Sequence, residues 1–368
     1  AQCEDDFPRV ERNYIWALGR LAEVEGKKEL YSDLRAQLFM TEEEAVAAYE
    51  QSPAWLKKLC VAFADGVNYY LHTHPEVKPE LLTHLEQRMQ MYFSEGSIGG
   101  DIERVSTRGI AQFYGQDKEA ISGLAAPQLS GYPGEPQGSN GFAISGALTE
   151  SGDAMLLINP HTSFYFRGEV HVVSEEGLNA YGAVTWGQFF VYQGFNEKTG
   201  WMHTSTYTDV IDEFDEHILL EDGKRYYQYG EEKRPVDSLE VSLAYLEEGK
   251  MQTEPFTLYR THHGPITSAG GTLHPTTWRA TALMWKPAEA LAQSYIRTKQ
   301  AGHDSFRKMM DLRTNSSNNT VYADAEGNIA YYHGNFIPIR DTSLDYRSPV
   351  DGSDPGTDWQ GLHPVDEA

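Results

Sequence analysis

An α+β fold is what this sequence predicts, on three observations. The first ~115 residues carry helical periodicity, a polar connector follows, and from Ser139 onward short β-branched and aromatic runs alternate with turn signals. Helices come first and strands after, which argues for a layered α+β arrangement rather than repeated βαβ units. No fixed-period repeat is visible, and 368 residues suffice for one large domain or two.

The elements follow in order. Val10, Tyr14, Leu18 and Leu21 fall on one face at a 3.6-residue period, and Gly26 stops the run. Thr41 and Glu44 have capping-box spacing ahead of Ala45 and Val46. Ser52-Pro53 opens another helix, Leu56, Leu59, Phe63, Val67 and Tyr70 form its apolar stripe, and Pro75 ends it. That stripe reads as core. Residues 116–138 form a polar connector containing Leu129-Ser130-Gly131-Tyr132-Pro133-Gly134. Strands are expected at Val170–Val173, at Phe189–Tyr192, and at Tyr226–Tyr229 after the Asp222-Gly223 turn. Val321–Asp324 and Ile329–Tyr332 flank Glu326-Gly327-Asn328 and read as a hairpin. The organisation is therefore a helical region 1–115, a connector 116–138 and a strand-rich region 139–368.

Composition narrows the function. A formal net charge of −24 repels phosphate backbones and anionic lipid, so nucleic acid and membrane are excluded as expected partners. No apolar run approaches the ~18 residues of a membrane span. Cys3 and Cys60 make neither a metal pattern nor a disulfide framework. The chain starts at Ala1 without a signal peptide, so either a leader has been removed or it is a piece of a longer chain. The G-x-S-x-G elbow, H-E-x-x-H, the Walker loop and the dinucleotide glycine fingerprint are all missing. His72/His74 and His262/His263 lack a third ligand at a useful spacing and read as loop or turn histidines.

Gly138-Ser139-Asn140 remains. Taken alone, Gly-Ser in a loop is ordinary turn chemistry. If the bond between Gly138 and Ser139 is cut, however, one residue carries both a hydroxyl nucleophile and a free amine as base. Gly138-Ser139-Asn140-Gly141-Phe142 followed by Leu157-Ile158-Asn159-Pro160-His161-Thr162 resembles the start of the β subunit in penicillin acylases and acyl-homoserine lactone acylases, which are N-terminal-nucleophile hydrolases. Further similar stretches keep the same order. They include Gly200-Trp201-Met202-His203-Thr204, Asp209-Val210-Ile211-Asp212, Tyr259-Arg260-Thr261-His262-His263-Gly264-Pro265, Asn319-Thr320-Val321-Tyr322-Ala323-Asp324 and Gly334-Asn335-Phe336-Ile337-Pro338-Ile339-Arg340. In the front half, Gln2 with Glu4-Asp5, Gly19-Arg20 and Ala64-Asp65-Gly66-Val67-Asn68 also match.

The resemblance implies an αββα four-layer sandwich and an amide hydrolase that removes an acyl group through an acyl-serine intermediate. It implies cleavage between Gly138 and Ser139, giving an α/β heterodimer from one precursor. Ser139 would be the nucleophile and its α-amine the base, and His161 would orient the serine and tune the amine. The Ser205 backbone N–H and the Asn319 side chain would form the oxyanion hole, with Asn318 as a one-residue alternative, and Arg340 would support the site. Met89, Phe93 and Gln193 would line the acyl pocket. Asp209, Ile211 (through its carbonyl) and Asp212, with Asp101 from the front half, would hold a structural Ca²⁺; no organic cofactor is implied. The substrate would be a penicillin-type or N-acyl-homoserine lactone-type small molecule, and the compartment periplasmic or extracellular. Family members are about twice as long, so the sandwich could be incomplete. Two other readings stay open: an unprocessed, silent acyl-ligand binding protein, and a Ca²⁺-dependent carbohydrate-binding or structural protein.

Overall fold

The structure, a computed structural model, describes residues 1–93, 100–115, 138–161, 167–206, 208–270, 276–316, 318–334 and 336–367, with the backbone alone at Asp101. The front half is helical: α1 (Gln2–Ala17), α2 (Ala22–Glu25), α3 (Leu30–Phe39), α4 (Glu42–Gln51), α5 (Ala54–Thr73) and α6 (Thr107–Tyr114). The apolar run expected to continue from Val10 to Gly26 is broken at Gly19. Its φ of +65° suits glycine, and an added Cβ would lie 2.8 Å from the Asp33 carbonyl oxygen. Asp33 then closes the gap, both carboxylate oxygens accepting backbone N–H groups, from Leu21 at 2.8 Å and Ala22 at 2.6 Å. The Thr41/Glu44 capping box forms in both directions at the start of α4. The buried stripe of α5 centres on Leu56, Cys60, Ala64 and Val67.

The back half is built from antiparallel strands: β1 (Gly138–Ile144), β2 (Met155–His161), β3 (Arg167–Ser174), β4 (Leu178–Thr185), β5 (Gln193–Asn196), β6 (Thr199–Ser205), β7 (Asp212–Glu221), β8 (Lys224–Tyr229), β9 (Glu232–Pro235), β10 (Asp237–Glu247), β11 (Lys250–Thr261), β12 (Gly264–Ala269), β13 (Thr277–Ala282), β14 (Asn318–Asp324) and β15 (Ile329–Tyr332), with the short β16 (Val350–Asp351) added in parallel to β7. Helices α7 (Pro287–Arg297) and α8 (His303–Met310) are set among them. One sheet runs β15-β14-β6-β5-β4-β3; a second runs β10-β11-β12-β13-β7-β8-β9; β1 and β2 pair with each other. The Asp222-Gly223 turn forms with both residues at positive φ, the geometry of a two-residue hairpin. The β14–β15 hairpin also forms as expected. Phe189–Tyr192 does not form a strand. Phe190 and Tyr192 turn into the helical core, and the neighbouring carbonyls of Gly187 and Gln188 accept bonds from Tyr14 and Gln2 of α1.

Strand alternation sorts the layers. Odd residues of β6 and even residues of β14 face α7 and α8: Trp201 and Tyr322 pack with Phe306, and His203 meets Arg297. The opposite face carries β1–β2, where a Cβ on Gly141 would lie 2.4 Å from Met202 Sδ and one on Gly200 2.8 Å from Leu156. Helices α7 and α8, the six-stranded sheet and the β1–β2 pair therefore stack as α, β and β layers, the first three of an αββα order. Each fully buried side chain of Leu or Phe size contributes about 1.5–3 kcal/mol to this stack. The helical front half is not a separate body. α1 and α5 share a core with Trp186, Phe190, Tyr192 and Leu291, and α3 and α6 share another with Leu243, Tyr245, Phe256 and Leu258.

Candidate active site

Ser139 stands second in β1, opposite Pro160, and its hydroxyl donates to the Gly138 carbonyl oxygen at 2.6 Å. Gly138 holds φ +116°, a backbone state that favours glycine, with open space where a Cβ would sit. The Ser139 carbonyl in turn accepts the Thr204 hydroxyl at 3.0 Å, fixing the start of β1 over β6. Thr204 pairs in register with Asn319 of β14, and Ser205 with Asn318. Because Thr320 and Tyr322 face the helices, Asn319 faces β1, on the same side as Thr204.

Asn319 is buried, 6% exposed. Its Nδ2 donates to the Ser205 carbonyl at 3.3 Å, and among the described residues its Oδ1 has no hydrogen-bond partner. Ser139, Thr204, Ser205 and Asn319 thus converge from three strands distant in sequence. Behind them lies a polar support that sequence reasoning missed. Burial first, then the Arg297 charge, presses His203 well below its ordinary pKa range, so the imidazole is neutral. It accepts from Arg297 at Nε2 (2.7 Å), which leaves Nδ1–H to donate to Thr320 at 3.0 Å. The signal for it was the two-residue alternation of β6, which puts His203 on the helix side.

Other expected residues fall elsewhere. His161 pairs across from Gly138, but its ring nitrogen meets Asn140 Nδ2 at 3.3 Å rather than the Ser139 hydroxyl. Gln193 is 2% exposed, and its side-chain oxygen accepts the His203 backbone N–H at 3.3 Å, so it braces β5 against β6. Phe93 is wholly buried and packs edge-on to Tyr14 at 5.0 Å, with Met89 at the margin of the same core. Neither lines either of two cavities of about 470 and 440 Å³. Arg340 is paired with acidic residues at and just before the start of β7. It binds Asp212 through Nε (2.8 Å) and Nη2 (3.0 Å), and the Asp209 carbonyl at 2.8 Å.

That pairing bears on the fit of the implied Ca²⁺. Asp212 also accepts the Trp359 indole N–H, so both its oxygens are occupied by N–H donors. The Asp101 side chain lies outside the described residues. An ion bound by Asp212 would have to displace the Arg340 guanidinium. The connector 116–137 also lies outside the described residues.

Comparison with known proteins places this arrangement. A family model described as penicillin amidase matches residues 1–368. Penicillin G acylase of Escherichia coli is 26% identical over 268 residues, covering 70% of this chain and 30% of its own length. An acyl-homoserine lactone acylase, PvdQ, of Pseudomonas syringae pv. syringae (strain B728a) is 26% identical over 359 residues, covering 88% of this chain and 44% of its own. Among solved structures, a thermostable penicillin G acylase from Alcaligenes faecalis superposes with a TM-score of 0.51 at 20% identity, over 62% of this chain and 41% of that one. The chain spans less than half the length of these relatives.

Proposed function

The chain belongs to the penicillin amidase family, and from that premise we propose that it is an N-terminal-serine hydrolase that removes an acyl group from an N-acyl amine. The observation that carries the reading is Ser139. Its hydroxyl touches the carbonyl oxygen of Gly138, at a glycine with positive φ, beside Thr204 and Asn319. In the precursor, Ser139 Oγ attacks the Gly138 carbonyl carbon, and the peptide nitrogen leaves as the Ser139 α-amine. Water then hydrolyses the resulting ester and frees residues 1–138 from 139–368. In the mature enzyme that amine, with an ordinary pKa near ~8, takes the hydroxyl proton as Oγ attacks the substrate amide. It returns the proton to the leaving amine, and water releases the acid from the acyl-serine ester. Asn319 Nδ2 and the Ser205 N–H stabilise the oxyanion.

Penicillin-type and N-acyl-homoserine lactone-type amides are the substrate classes to try, in keeping with the relatives' names. A periplasmic or secreted location belongs to the same proposal. Among the described residues, no helix is long and apolar enough to cross a membrane. The test is Ser139→Ala. A denaturing gel should show one uncut chain of 41.4 kDa where the parent shows two pieces, and release of free amine from a graded series of acyl amides should cease. An uncut parent that is fully active, or an active alanine variant, would overturn the proposal.

A further inference from the structure

The sequence offered His262 and His263 no third ligand; the fold supplies one. The pair fills the tight turn between β11 and β12, where Thr261 and Gly264 are register partners. Asp358, 95 residues beyond His263, is brought there by the segment that follows β16. Asp358 Oδ1 lies 2.9 Å from His263 Nε2 and 3.6 Å from His262 Nε2. One ligand atom from each of the three residues lies within 4.8 Å of the other two. Around a zinc ion with bonds of ~2.0 Å, neighbouring ligands of a tetrahedron stand about 3.3 Å apart, so the observed spacing needs small adjustment.

The remaining polar atoms of these side chains are already held. His263 Nδ1 faces Glu216 Oε1 at 2.8 Å, His262 Nδ1 faces the Tyr227 hydroxyl at 3.1 Å, and Asp358 Oδ2 accepts from Tyr229. Such outer contacts orient metal-bound imidazoles and carboxylates. The rings are also fixed: His263 stacks on Phe214 at 3.9 Å, and His262 on Tyr227 at 5.6 Å. Glu216 gives an independent sign. It is 0% exposed and, among the described residues, its Oε2 has no hydrogen-bond partner, in a niche that stays open because residue 352 is glycine. A buried carboxylate with one oxygen shared between the Thr261 hydroxyl and the His263 imidazole, and the other without a partner among the described residues, favours positive charge beyond that imidazole. The His–His–Asp group also lines the cavity of about 470 Å³, together with Glu44, Arg260 and Trp285.

We propose that His262 Nε2, His263 Nε2 and Asp358 Oδ1 form a divalent transition-metal site of the zinc class, separate from Ser139, with its fourth position open to that cavity. Two imidazoles and one carboxylate suit Zn²⁺ and Co²⁺ better than Ca²⁺. Binding displaces the proton that otherwise bridges His263 Nε2 and Asp358 Oδ1, and releases it to solvent. The site is independent of acyl transfer, so its failure and that of the serine reading are separable.

The test uses the full chain, stripped with chelator and titrated with ZnCl₂ by calorimetry and with CoCl₂ by visible absorption. The expected result is one ion per chain, with cobalt bands of a four- or five-coordinate site. Asp358→Asn and His262→Asn should each weaken binding at least ~100-fold, and Glu216→Gln by ~10–100-fold through the imidazole it orients. His72→Asn/His74→Asn should bind as the parent does. Thermal unfolding of each stripped variant checks that it folds, and Asp358→Asn, at a half-exposed position, guards against collapse of the buried ones. Absence of stoichiometric binding, octahedral cobalt spectra, or binding unchanged in both Asp358→Asn and His262→Asn would overturn the proposal.

Discussion

At the scale of single residues, the side of a strand decides chemistry. Asn318 and Asn319 are indistinguishable as a sequence, and alternation separates them: Asn319 shares a face with Thr204 and the hairpin of β1, while its neighbour Thr320 joins the buried His203 network. Asn319→Ala should therefore lower kcat by about 10²–10³ while KM changes little, and Asn318→Ala should stay close to the parent in the same steady-state assay. Equal losses in the two would reject the assignment. Ser139 and Asn319 could be picked out as candidates beforehand because their neighbours along the chain form recognisable strings. The partners of Arg340 were not legible in that way. A string gives proximity in sequence, whereas the guanidinium is claimed by Asp212, buried to 1% exposure, 128 positions away. Asp358 was invisible for the converse reason, since nothing beside it in the chain hints at two histidines.

At the scale of elements, periodicity identified the helices and hairpins, and close contacts overrode it in two places. Gly19 breaks the first helix because the Asp33 carbonyl leaves no room for a side chain, a clash encoded 14 residues later. Phe189–Tyr192 has strand-forming side chains, yet its aromatic groups gain more by entering the helical core. The Asp33 cap between α1 and α2 carries a pH dependence. Burial raises its carboxyl to about 7, and the two backbone N–H bonds pull the other way without cancelling the rise. The unfolded value is near ~3.9. Between those values the native chain holds a proton that the unfolded chain has lost, so this residue's contribution falls as pH rises from ~4 to ~7, by at most ~1.4 kcal/mol per unit. Urea midpoints at pH 4.5 and 7.5 should show that decline in the parent and a shallower one in Asp33→Asn; an identical slope in both would refute the linkage.

At the scale of the whole molecule, the six front-half helices and the strands lie on opposite sides of residue 138 but do not form independent cores. Tyr14 bonds to Gly187, Glu44 pairs with Arg260, and Leu34 and Leu38 pack in one cluster with Leu243 and Phe256. After a break between Gly138 and Ser139, light scattering in native buffer should still give one particle of the full mass, although a denaturing gel separates two bands. Dissociation at micromolar concentration would contradict the shared cores. The placement of β1 has one more consequence. Among the described residues it exchanges ladder bonds with β2 alone, and it rests on the six-stranded sheet through side chains such as Thr204. Severing the chain at its leading residue would thus surrender no rung of the larger sheet, and a new, half-buried chain end could appear while the scaffold beneath it stays intact.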